Sequence, residues 1–288
     1  MNTSTTETPR GSIIAITSGK GGVGKTNVVI NLATALARLG HRVGILDADF
    51  GLGNIDVMLG LTAPFHLGHL LAGERDLEEI VVEGPMGIRI IPAGTGIRAL
   101  TALTPEQWKR LEAIIRRASS MLDFLLIDTA AGISDNVVEL LLIAERVVVI
   151  TSLEPTAVVD AYAVVKILTA ADPKKEIGLV INASRDADEA ALAFRQLEIA
   201  SSRFLSRGLK YLGFVVQDPA VRESVLAQRP IVDHLPQSPA SRCFRILASR
   251  ISGTAPAGGT GLRLARRPDT SLDAPPDAGS DGEPPQCA

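Results

Sequence analysis

The 288-residue sequence is short of cysteine and aromatics, and each shortage excludes something. Two cysteines, Cys243 and Cys287, are too few for a disulfide framework or a four-cysteine metal site, and free thiols are expected. Aromatics make up 3% of the chain, which argues against a base-stacking surface for single strands. No apolar run reaches the ~18 residues that a membrane span needs. Residues 1–10 are polar and carry no apolar signal core, so a cytoplasmic location is expected. A net charge of −3 supplies no global positive field, and direct nucleic-acid binding is not expected.

What is there is a globular composition, 46% apolar and 21% charged, sufficient for one core. From Ser12 onward short apolar runs alternate with helical patterns, the signature of an α/β fold whose mostly parallel sheet carries helices on both faces. Strands are expected at 13–17, 42–46, 88–91, 124–127, 146–150, 177–181 and 212–216. The stretch Thr26 to Leu39, closed by Gly40, reads as a helix. Thr104, Pro105 and Gln107 form a capping box with proline at N1, opening a helix through Ser119 with Trp108, Leu111, Ile115 and Ala118 on its core face. Ser241 to Ile251 is a basic amphipathic helix expected to dock on the core through Phe244, Leu247 and Ile251. After Ser252 the composition turns to Gly, Pro, Asp and Ser. The expected organisation is a flexible 1–11, a folded 12–251 and a disordered tail over 252–288.

One motif carries the chemistry. Gly19-Lys20-Gly21-Gly22-Val23-Gly24-Lys25-Thr26 matches G-x-x-x-x-G-K-[ST] and sits between the first strand and the first helix. There the glycines let successive N–H groups face phosphate, and the helix N-terminus adds partial positive charge. Lys25 is expected to neutralise the β- and γ-phosphates, and Thr26 to ligate Mg²⁺. Asp128 ends the apolar run Phe124 to Ile127, where a carboxylate can hold the Mg²⁺ water shell. Asp47 and Asp49 follow Leu46 at another strand end, placed to orient an attacking water. His66 and His69 lack a third ligand of suitable type and are expected as solvated surface at a helix start.

Lys20, directly after the first glycine, makes the loop resemble the deviant Walker A of the MinD/ParA class of P-loop ATPases. The resemblance implies that ATP is sandwiched in a homodimer, with Lys20 reaching the partner's phosphates. Asp47, Asp49 and Asn54 match the class's switch I, with Asp49 orienting water and Asp47 near the metal. Asp128 and Gly132 match Walker B and switch II. Asn27 continues the loop's pattern, while Asn182 and Asp218 look like the residues that read the base. Within the class, Lys25-Thr26-Asn27, the run 50–61, 82–88, 91–96 and 221–232 are similar to the flagellar number and placement regulators of the FleN/FlhG kind.

That likeness implies a slow Mg-dependent ATPase that restrains a σ54-dependent flagellar activator and acts with a flagellar signal-recognition-type GTPase, recruited to the pole or membrane through a partner. Its usual membrane-binding helix has only 262–267 as a counterpart here, two turns bounded by Gly261 and Pro268, so direct membrane binding is at most weak. An Fe–S-bridged dimer, known in the same class, has no cysteine before Cys243 to build on. The rival reading is a partition or division-site positioning ATPase; Arg195, Arg203, Arg207 and Lys210 would be part of the DNA-binding stripe that a partition ATPase needs. A third is a binding module in which ATP only staples the dimer.

Overall fold

The alternating pattern folds as a layered α/β unit, seen in a computed structural model that describes residues 11–94 and 102–254. The elements run β1 (Ser12–Thr17), α1 (Lys25–Arg38), β2 (Val43–Ala48), α2 (Ile55–Met58), α3 (Leu67–Ala72), α4 (Leu77–Ile80), β3 (Val82–Glu83) and β4 (Arg89–Ile91). After the undescribed 95–101 come α5 (Pro105–Ser120), β5 (Phe124–Thr129), α6 (Asp135–Ile143), β6 (Arg146–Thr151), α7 (Pro155–Ala171) and β7 (Glu176–Ser184). The chain ends its described course through α8 (Ala187–Leu205), β8 (Lys210–Val216), α9 (Pro219–Leu226), α10 (Ile231–His234) and α11 (Pro239–Ser252).

The strands form one sheet in the order β3-β4-β2-β5-β1-β6-β7-β8. Every neighbouring pair is parallel except β3 with β4. Strands covered on both faces must be apolar throughout, and β2 and β5 are buried at every position, acids included. Alternation sorts their side chains into two cores. Ile13 and Ala15 of β1 pack with Leu111, Val164 and Leu197 under α5, α7 and α8. Ile14 and Ile16 pack on the opposite face with Val29, Leu32, Phe244 and Leu247 of α1 and α11. From β1 the chain moves to one side through β2 and β4, returns by β5, and continues on the other side with β6 to β8. The tip of β1 therefore lies where the winding reverses, the position at which α/β sheets bind ligands.

The expected strands all form. Most run one to three residues beyond the apolar cores, because hydrogen bonding in a parallel sheet continues into the polar tips. The antiparallel β3 was not expected, since two residues carry no periodicity. Thr104 and Gln107 make the capping box, with Gln107 N donating to Thr104 Oγ1 at 3.3 Å and Thr104 N to Gln107 Oε1 at 2.9 Å. α11 docks on the core as expected, with Phe244 1% exposed.

One expectation needs correcting. His66 and His69 are half-buried rather than solvated: they cap α3, His66 Nδ1 accepting from Gly68 N at 3.1 Å and His69 Nδ1 from His66 N at 3.3 Å. Burial and the neighbouring His69 hold the His66 imidazole below its usual range. The four basic residues that the rival partition reading would draw on are not all free. Lys210 pairs with Glu176 at 2.9 Å and half-buried Arg207 donates to Pro173 O, which leaves Arg195 and Arg203 exposed. The tail segment 262–267, Cys287, Thr95 and Gly96 lie outside the described residues. Among the described residues no helix is long and apolar enough to cross a membrane.

Candidate functional site

The loop from Gly19 to Thr26 joins the tip of β1 to α1 and is shaped by close backbone approaches. A Cβ on Gly19 would stand 2.2 Å from the Asp160 carbonyl carbon, so only glycine lets α7 pass. Gly22 and Gly24 have φ of +81° and +85°, the left-handed region that side chains disfavour. Around Gly21 and Gly22 nothing lies within 4 Å of an added Cβ, so the outer rim of the curl is open. Gly24 ends the loop as the residue preceding α1, whose first turn carries no side-chain cap and no acid. A curl of main-chain amides running into an uncapped helix start attracts an anion.

The acids stand on the two neighbouring strands. Asp47 of β2 and Asp128 of β5 are register partners, and Asp128 is in turn the partner of Ile16 on β1. Lys25 Nζ lies 2.5 Å from Asp128 Oδ1, both side chains almost fully buried. Burial pushes the Asp128 carboxyl upward, while Lys25 and the Thr26 hydroxyl oppose that rise. Asp47, 2% exposed, has no such cation among the described residues. Burial first, then the charge of Asp128, push its carboxyl up to about 7, against the pull of two backbone donors, Ile55 N and Asp49 N, each at 3.2 Å. Asp49 is half-exposed at the rim, with Oδ1 accepting from Leu52 N at 3.1 Å.

The remaining expected residues fall around this centre in different ways. Lys20 is turned away, ion-paired with Glu154 and 3.0 Å from Thr156 Oγ1 at the start of α7. Gly132, φ +98°, donates its N–H to Ser18 O at 2.8 Å and ties the segment after β5 to the loop. Asn182 at the end of β7 donates to Val23 O at 2.7 Å, so that strand also touches the loop. Asn54 is exposed and precedes α2. Asn27 accepts from Asn31 along α1 rather than facing the curl. Asp218 spends both oxygens on backbone, Ala220 N at 3.0 Å and Ala240 N at 3.1 Å, fixing the loop between β8 and α9 to α11. Glu154 and Thr156 were not anticipated, although a Glu before proline at a strand tip is the available signal.

This constellation defines a class. The ParA family model, described as NUBPL iron-transfer P-loop NTPase, matches residues 10–252, and the chain belongs to that family of P-loop NTPases. Among individual relatives, the antiactivator FleN of Pseudomonas aeruginosa is 41% identical over 83% of this chain and 85% of its own length. The flagellum site-determining protein YlxH of Helicobacter pylori is 35% identical over 76% of this chain and 74% of its own. The septum site-determining protein MinD of Pyrococcus horikoshii, solved with Mg-ADP, superposes with a TM-score of 0.71 at 26% identity, covering 83% of this chain and 95% of that one.

Proposed function

We propose that residues 12–251 form an ATP-driven dimerising switch that governs flagellar number and placement and resets by slow hydrolysis. The observation that carries the reading is the convergence of three adjacent strand tips: the glycine curl after β1, Asp128 one strand away and Asp47 in the same register on the next. In this reading the amides of Gly19 to Thr26, with Val23 held by Asn182, cradle the phosphates. Lys25 exchanges its bond to Asp128 for the β- and γ-phosphates, which frees that carboxylate.

Asp47 supports a metal here, because a buried carboxylate whose charged neighbours are Asp128 and Asp49 lacks a cation to complete it. Thr26, Asp47 and Asp128 would hold Mg²⁺, which when bound with ATP screens the phosphate charge. Asp49, at the rim beside Asp47, orients the attacking water. Asn54 and Gly132 report the state of the site outward, and Asn182 and the loop held by Asp218 line the base. Lys20 leaves Glu154 and Thr156 to complete a second copy's site. The family model's iron-transfer description is not carried over: the chain has two cysteines, and the Cys243 thiol is half-buried and pushed up by burial.

The relatives named antiactivator and flagellum site-determining protein support the flagellar output. The expected partners are a σ54-dependent flagellar activator, which the ATP dimer restrains, and a flagellar signal-recognition-type GTPase. The protein then works in the cytoplasm and reaches the cell pole or membrane through a partner. Capture from the native host's lysate tests this, with Asp49→Ala loaded with ATP as bait and Lys25→Ala as control. Recovery of the activator or the GTPase on the first bait alone supports the reading. Recovery of chromosome-partition or division factors instead overturns its flagellar part.

A further inference from the structure

Outside the site, Gln228, in the turn between α9 and α10, is one of four non-glycine residues with positive φ among the described residues. Its φ is +53°, a left-handed conformation that a glutamine rarely adopts and that glycine would adopt freely. The turn is closed by Gln228 N to Val225 O and Arg229 N to Ser224 O, both 3.0 Å. The side chain then crosses 171 positions of sequence to donate from Nε2 to Val57 O in α2 at 2.6 Å. Gly60, φ +64°, leaves room for it, since a Cβ there would stand 3.1 Å from Gln228 Oε1.

The other end of α2 is tied to the site, Ile55 N donating to the buried Asp47 Oδ2 at 3.2 Å. The helix is thus held at its start by the acid of β2 and near its end by Gln228. The turn that bears Gln228 is in turn anchored to α1. Val232 N donates to Asn31 Oδ1 at 3.2 Å, Asn31 Nδ2 donates to Asn27 O at 2.9 Å, and Asp233 joins Arg229 at 2.8 Å to Arg38 at 3.0 Å. Asn27 lies two residues past Lys25.

We infer that Gln228 is a positioning residue: a clasp that fixes the segment 49–60 against α1 and so sets Asp47 and Asp49 relative to Lys25. It touches no substrate. Its catalytic consequence rests on the ATPase reading above; the clasp itself does not. Gln228→Gly keeps the left-handed turn without its side chain, and Gln228→Glu keeps the length but removes the N–H donor at neutral pH.

In the nucleotide-free full chain, amide hydrogen exchange over 55–61 should accelerate in both variants by about fivefold, the scale of one neutral hydrogen bond, with exchange in 28–38 unchanged. With Mg-ATP, kcat should fall by about fivefold while KM stays within about twofold, because the curl and Lys25 are intact. Wild-type exchange over 55–61 in both variants overturns the clasp. A KM that rises as kcat falls overturns the positioning role. A wild-type protein without ATP turnover overturns the ATPase reading, and the exchange comparison still decides the clasp.

Discussion

At the scale of single residues, the site is built from groups in uncomfortable places. Asp47 has its carboxyl raised to about 7 from an ordinary value near 3.8. A carboxyl that holds its proton more tightly when folded favours the fold fully only below about 3.8, and that contribution is lost progressively as pH rises from there through about 7. Keeping this carboxylate buried therefore costs the nucleotide-free protein on the order of 4 kcal/mol at pH 8. Asp47→Asn should raise the melting temperature by about 10 °C at pH 8 and by about half as much at pH 5.5, while weakening Mg-dependent turnover. Scanning calorimetry at the two pH values checks the sign. Gly19 illustrates a different constraint. Because a Cβ there meets the backbone of Asp160, Gly19→Ala must displace α7 or the loop, at a cost of about 1–3 kcal/mol or more. Urea unfolding should show a lowered midpoint even without nucleotide.

At the scale of elements, the helix that closes the described chain is part of the fold and not an appendage. α11 inserts Phe244 and Leu247 beside Ile14 and Ile16 of β1, the strand that ends in the phosphate loop. Phe244→Ala should cost about 3–5 kcal/mol, measurable by chemical denaturation, and should lower nucleotide affinity only through loss of folded protein. Such elements were legible because each announces itself locally: β5 by four apolar residues before an acid, α5 by its capping box, α1 by glycine at both ends. The loop, Asp47 and Asp128 could be read for the same reason. The partners of Lys20 could not, since Glu154 and Thr156 are more than 130 residues away and only the sheet's winding brings α7 to the loop. Short elements such as β3, α2 and α10 hide as well, because one turn or two strand residues have no period to detect.

For the whole molecule, the proposed switch requires that nucleotide alter self-association. Light scattering should report a monomer with ADP and a dimer with Mg-ATP, and Lys20→Ala should abolish the dimer while leaving the far-UV spectrum unchanged. A dimer that persists in Lys20→Ala removes the cross-subunit role of that lysine. The differential matters more than the affinity: ATP can move the population only as far as it binds the dimer more tightly than the monomer.

The two ends of the sheet give this requirement a further meaning. β3 is a two-residue strand followed at once by Gly84 and Pro85, while β8 opens with Lys210 and slips register against β7 at two places. Among the described residues, the two-residue β3 is too short to template an added strand, and the register slips beside β8 break the regularity of its longer border. If the chain pairs and parts as proposed, these borders guard it against strand addition, an association that does not run through the nucleotide site.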